Sequence, residues 1–294
     1  KPEICEASEQ LRHAVIQALG LPNDAEWSPM PMGKTNHVWR ADIPGTCLVV
    51  KWFTGQATPL FANDPFAEFA CLSRFGGYLA PLPVLFLSGS YGRAIVYHFL
   101  SGPTWAKDVA SVGRLLRDVH DRRHVPGLRA RASGSEAMLA SAEAILSACR
   151  DVPVRMRNAL KRLADAPKVT PLNATDLRLL HGDPVAANIV ETPDGLRLID
   201  WQSPGLGEPC EDLAVFLSPS MQLEYRGAIL TDEQSESFLL AYGDPIAWAR
   251  YLRLRPFLHL RFAAYALWGL ERGRNQHAQG MDAELDALDQ SLGW

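Results

Sequence analysis

Asp183, Asn188 and Asp200 carry oxygen-bearing side chains in an order and at a spacing that suit phosphoryl transfer from ATP. That reaction asks little covalent chemistry of a protein. It needs a carboxylate to orient and deprotonate a hydroxyl, and hard oxygen ligands to hold Mg²⁺ on the phosphates. The residues lie in His181-Gly182-Asp183-Pro184-Val185-Ala186-Ala187-Asn188 and in Leu198-Ile199-Asp200-Trp201. Asp183 is the candidate catalytic base, and Asn188 and Asp200 are candidate metal ligands. His181 reads as a structural residue of the loop. A lone His-Gly-Asp is an ordinary turn composition; it becomes a site because the other two oxygen ligands follow at fitting distances.

Two upstream residues extend the set. Lys51 falls inside the apolar run Leu48–Phe53, where an ammonium is costly unless paired. An edge-strand position facing solvent would explain it. So would a phosphate-gripping role in which Glu68, on the following helix, holds the lysine, and the order of the residues favours that role. The turn Met32-Gly33-Lys34-Thr35-Asn36 is neither a P-loop nor a G-x-G-x-x-G fingerprint. Gly33, Thr35 and Asn36 could still offer backbone N–H groups, a hydroxyl and an amide to phosphate oxygens.

The elements that must position these residues are legible from periodicity. Helical spacing covers Ser8–Leu19. Val38–Ala41 and Cys47–Phe53 flank the turn-forming Pro44-Gly45 and predict a hairpin. A helix over Asp64–Arg74 ends at Gly76-Gly77, and strands Pro83–Leu87 and Arg93–Phe99 follow. Leu100-Ser101-Gly102-Pro103 breaks the pattern. Beyond it come helical stretches at Thr104–His120, Ala132–Ala166 (two helices, parted near Asp151–Pro153), Glu233–Tyr242, Pro245–Leu254 and Phe257–Gly273. Arg178–Leu180 and Leu196–Ile199 read as short strands bracketing the catalytic motif. The expected fold is α+β with two lobes: 1–99, a small antiparallel sheet and one helix for the nucleotide; a hinge at 100–103; and 104–294, mainly helical.

With 294 residues, 47% apolar and 21% charged, the chain is long enough for a large core and has an ordinary globular composition. It has no apolar run of about 18 residues and no signal-like segment in Lys1–Gln10, so no membrane association is expected. Five scattered cysteines without a C-x-x-C spacing suit free thiols in a reducing cytoplasm. Residues 200–294 hold 14 acids against 7 bases, whereas 1–199 hold 19 acids and 22 bases. An acidic final third would suit a cationic partner, and equally it describes solvated helix faces. Nothing resembles the basic stripe of a nucleic-acid binder.

Taken together, Gly33-x-Thr35-Asn36, Lys51, Glu68, Leu100-Ser101-Gly102, His181-Gly182-Asp183, Asn188 and Asp200-Trp201 resemble the aminoglycoside phosphotransferase and choline kinase superfamily. The order also parallels the H-R-D-x-x-x-x-N and D-F-G elements of protein kinases, but no Ala-Pro-Glu element follows Asp200. The resemblance implies a protein-kinase-like fold, ATP and Mg²⁺ as cofactors, and adenine held by the backbone from His98 to Leu100. It also makes Asp212, in Gly205–Ala214, a structural anchor. The Gly-x-Thr-Asn and Ile-Asp-Trp forms are closer to the choline, ethanolamine and thiamine kinase branch. In that branch aromatics on a late helix cradle an ammonium. Tyr265, Trp268 and Glu271 occupy the comparable stretch, with a glutamate where some members have a second aromatic. The small-molecule hydroxyl partner is therefore expected to be cationic. An aminoglycoside kinase and an inactive, pseudokinase-like binding module stay open, and the oligomeric state is not readable.

Overall fold

A computed structural model describes residues 6–23, 25–30, 35–122 and 125–292. The chain divides into two compact units: 1–102 together with 197–203, and 103–196 together with 204–294.

In the first unit, α1 (Glu6–Leu19) precedes β1 (Glu26–Pro29), β2 (His37–Ile43) and β3 (Thr46–Trp52). Then come α2 (Pro65–Phe75), β4 (Pro83–Gly89) and β5 (Gly92–His98). The five strands form one antiparallel sheet in the order β1-β2-β3-β5-β4. Pro44-Gly45 closes the β2–β3 hairpin, with Gly45 at φ 84°, where a side chain would be strained.

β3 is the central strand. Its alternation sends Leu48, Val50 and Trp52 into a core with Leu11 and Val15 of α1, and sends Lys51 to the opposite face, where α2 lies. α2 begins where the sequence says it must. The Asp64 carboxylate accepts the N–H groups of Phe66 (3.0 Å) and Ala67 (3.1 Å), and Pro65 occupies the first turn.

The second unit contains α3 (Val109–Asp121), α4 (Ser135–Ser147), α5 (Val154–Ala164), β6 (Arg178–Leu180) and β7 (Ile189–Thr192). β7 is paired with β8 (Gly195–Leu198), at whose end the chain enters 197–203. β9 (Gly205–Gly207) then pairs antiparallel with β6. Five helices follow: α6 (Cys210–Leu217), α7 (Pro219–Arg226), α8 (Asp232–Tyr242), α9 (Pro245–Leu270) and α10 (His277–Ser291).

β1, β7, β9, α7 and α10 fall where the sequence reading placed no element, and two further helices differ from it in their bounds. α3 starts at Val109 rather than Thr104, because Asp108 caps the Ser111 N–H while Trp105 donates its N–H to Ile189 O (2.8 Å). α9 runs unbroken through Pro256, where two helices were expected. Proline removes one helix donor and costs about 3 kcal/mol. The turn after it buries Phe257, Leu258, Leu260, Phe262 and Ala263 almost completely, and that burial outweighs the cost.

Among the described residues no helix is long and apolar enough to cross a membrane. Cys47, Cys71, Cys149 and Cys210 are free thiols.

Candidate active site

The first unit supplies the lysine, its two carboxylates and the turn around Asp200. Lys51 is 3% exposed on the central strand, which excludes the edge-strand explanation of its position. Its ammonium donates to Glu68 Oε2 at 2.6 Å and to Asp200 Oδ1. Burial alone would lower the Lys51 pKa, but Asp200 and Glu68 outweigh it and hold the ammonium above the ordinary lysine value. Glu68 is 1% exposed, and its burial pushes the carboxyl up to about 7 against the pull of Lys51. Asp200 is the one described non-glycine residue with a positive φ, 63°. A strained backbone of this kind persists only where its surroundings over-determine it, and it occurs most often at functional sites.

Of the expected nucleotide residues, Gly33 lies outside the described residues. Thr35 passes so close to Gly55 that a Cβ there would stand 1.9 Å from the Thr35 carbonyl oxygen. Asn36 is buried, and both ends of its amide are engaged by Asn63, Gln202 and Gly55. His98 ends β5 and donates its N–H to Leu82 O (2.9 Å), and its Nδ1 lies 3.2 Å from Thr46 Oγ1. Leu100 follows just beyond the sheet.

The second unit holds the motif from His181 to Asn188. Gly182 sits at φ 84°, which lets the loop turn sharply before Asp183. The Asn188 amide nitrogen donates to the Asp183 backbone oxygen (2.9 Å) and, at 3.4 Å, to its Oδ2. Both of these bonds of the Asn188 amide run from its nitrogen to Asp183, and a carbonyl oxygen is the end of an amide that suits a hard cation. Beneath the loop, buried Asp212 accepts the N–H groups of His181 (2.8 Å) and Gly182 (2.9 Å). His120 bridges Asp212 Oδ2 (3.1 Å) and the Tyr242 hydroxyl (2.9 Å). Burial pulls Asp212 toward the neutral form. The His120 hydrogen bond and charge, His181 and the Gly182 N–H reverse that and leave its pKa below the ordinary aspartate value.

Sequence reasoning did not find His120, Tyr242, Asn63 or Gln202. Gln202 carried a local signal, lying two residues after Asp200, whereas the others carry none.

The late-helix residues are occupied by the chain itself. Trp268 stacks on Tyr265 (centroids 5.6 Å apart), and the guanidinium carbons of Arg272 and Arg274 stand 4.4 and 5.4 Å from the Trp268 ring centroid. Tyr265 is buried; its hydroxyl accepts from Arg274 (3.2 Å), and it lines a small pocket with Glu224 and His277. The Glu271 carboxylate accepts the N–H groups of Arg150 (2.7 Å) and Asp151 (3.0 Å), tying down the segment between α4 and α5.

A family model described as the phosphotransferase enzyme family matches residues 26–257. No curated protein matches the chain significantly. Among solved structures the chain is similar to a choline/ethanolamine kinase family protein from Mesorhizobium loti (17% identity, TM-score 0.65, covering 96% of this chain and 99% of that one). It is also similar to choline kinase LicA from Streptococcus pneumoniae (20%, 0.64, 96% and 98%). A third likeness is to a GDP complex of an aminoglycoside 2'-phosphotransferase-IIIa mutant (13%, 0.66, 96% and 98%). At these identities the likeness is one of fold, and the fold is protein-kinase-like. The family match contains Lys51, Glu68, Asp183, Asn188 and Asp200 and spans most of the sequence: the chain belongs to the phosphotransferase enzyme family.

Proposed function

We propose that this phosphotransferase is an ATP- and Mg²⁺-dependent kinase that phosphorylates a hydroxyl of a small cationic metabolite of the amino-alcohol class. The observation that carries the ATP reading is Lys51, a buried ammonium on a central strand with a carboxylate on each side. A structural lysine gains nothing from that position, whereas a phosphate-gripping lysine must be held there. Glu68 aims the ammonium. Asp200 and Asn188 are the oxygen donors assigned to Mg²⁺, which when bound neutralises charge on the phosphates. Asp183 orients the acceptor hydroxyl and takes its proton, and the Asp212 carboxylate fixes the backbone that presents Asp183. Catalysis then comes from positioning and charge stabilisation rather than from a covalent intermediate.

The acceptor class is supported by the neighbours named for choline, ethanolamine and aminoglycosides, all amino-bearing alcohols. It draws no support from the acidic final third of the chain. Much of that acidity is taken up by arginines of the same unit, as in Arg117–Asp244, Arg131–Glu211, Arg155–Asp286 and Arg162–Asp289.

The test is ADP release by the full chain with ATP and Mg²⁺ over choline, ethanolamine, thiamine and an aminoglycoside panel. Acceptor-dependent turnover that EDTA abolishes is the expected result. ATP binding without turnover on any acceptor would instead establish a nucleotide-holding module.

A further inference from the structure

Three buried or half-buried amides in the first unit meet in a closed network. Asn36 Nδ2 donates to Asn63 Oδ1 (2.8 Å) and to Gln202 Oε1 (2.9 Å). Asn36 Oδ1 accepts from Asn63 Nδ2 (2.9 Å) and from the Gly55 N–H (3.2 Å), and Asn63 Nδ2 also donates to Gly55 O (2.9 Å). The backbone continues the attachment on both sides. Asp64 N–H donates to Gln202 O (3.0 Å), and Ala62 N–H donates to Ser203 Oγ (3.0 Å). Asn36 and Gln202 are only 5% and 4% exposed, so each bond lost would leave a buried polar group unsatisfied. Three segments far apart in sequence are joined: Asn36 just before β2, the loop between β3 and α2, and the stretch of chain that carries Asp200.

We infer that Asn36, Asn63 and Gln202 are positioning residues: an amide clasp that fixes the left-handed Asp200 turn against Lys51 and sets where the carboxylate stands for the metal. Its catalytic consequence rests on the kinase reading above; its geometry does not. Asn36 acts through Asp200 rather than on phosphate, because its donor and acceptor are both committed inside the clasp. Asp200 holds a positive-φ backbone conformation that is uncommon for any residue but glycine, and two residues later Gln202 is anchored by both its side chain and its carbonyl.

The test uses the full chain carrying Gln202→Met, which keeps the volume and removes the amide, and separately Asn63→Ala. Hydrogen exchange without ligand reads the clasp directly. Peptides covering 53–64 and 198–205 exchange faster in both variants, while β3 and β5 keep wild-type protection. Phosphoryl transfer titrated with Mg²⁺ reads the consequence. Half-saturation moves to a roughly tenfold higher Mg²⁺ concentration, the low end of what losing an outer-shell partner of a metal ligand costs in affinity, and the acceptor KM stays unchanged. Unaltered exchange in both variants overturns the clasp. Faster exchange with an unmoved Mg²⁺ response leaves the network merely structural and overturns the positioning role. If the wild type transfers no phosphate to any acceptor, the kinase reading fails by itself, and the exchange arm still decides the clasp.

Discussion

Asp183 and Lys51 make different demands, and substitutions should separate them. Asp183 is half-buried on its loop, and replacing it removes a proton acceptor without emptying the core. Asp183→Ala should lower kcat by about 10²–10⁴-fold with ATP affinity nearly unchanged, checked by steady-state kinetics alongside calorimetric ATP binding. Lys51→Met, by contrast, leaves buried Glu68 facing Asp200 without a counter-charge. Removing one partner of a buried pair costs on the order of 3–5 kcal/mol, so urea unfolding should register the loss as well as activity. Trp268 is the opposite case. With Arg272 and Arg274 on its ring, Trp268→Ala should move stability by about 1 kcal/mol and leave the acceptor KM where it was. A large rise in that KM would mean that the acceptor displaces the arginines.

The residues proposed to carry the chemistry stood out in the sequence because phosphoryl transfer from ATP would fix their types and order. Gln202 and Asn36 pair across 166 residues, and His120 and Tyr242 across 122. No periodicity in a sequence marks which polar group will meet which at such a separation.

At the scale of elements, β2 to β6, β8 and α2 followed from alternation, turn residues and the Asp64 cap, all local signals, whereas the short β1, β7 and β9 gave no such signal. The continuity of α9 did not follow, because the burial that overrides Pro256 comes from tertiary packing. The β3–α2 loop makes its own prediction. Gly55→Ala would bring a Cβ to within 1.9 Å of a backbone oxygen that cannot rotate away. Overpacking of this kind costs about 1–3 kcal/mol, and thermal unfolding should show a lower Tm. The loop that carries His181, Gly182 and Asp183 depends instead on one carboxylate. Asp212 titrates below the ordinary aspartate value in the folded chain. Its contribution is therefore complete above that ordinary value and is lost as pH falls through the depressed one. Stability measured by denaturant should drop below about pH 4, and Asp212→Asn should start lower and show a shallower acid slope.

Across the whole molecule, part of the uneven charge of the sequence is taken up by pairing within the second unit. Arg155 with Asp286 and Asp289 is the plainest instance, and all three side chains are more than 40% exposed. Pairs that open to water contribute little, and Arg155→Ala should leave the urea midpoint almost unmoved.

The return of 197–203 to the first unit has a consequence for how the protein comes into being. A ribosome delivers Lys51 and Glu68 early, but the carboxylate that completes their ion pairs comes 149 residues after the lysine. At about 5–20 residues per second, the nascent sheet waits on the order of 10 s with a buried ammonium incompletely neutralised and its amide clasp open. The first unit is thus complete only after about half of the second has emerged, and a fragment ending at the boundary near 102 would lack the Asp200 carboxylate and the Gln202 amide that complete it.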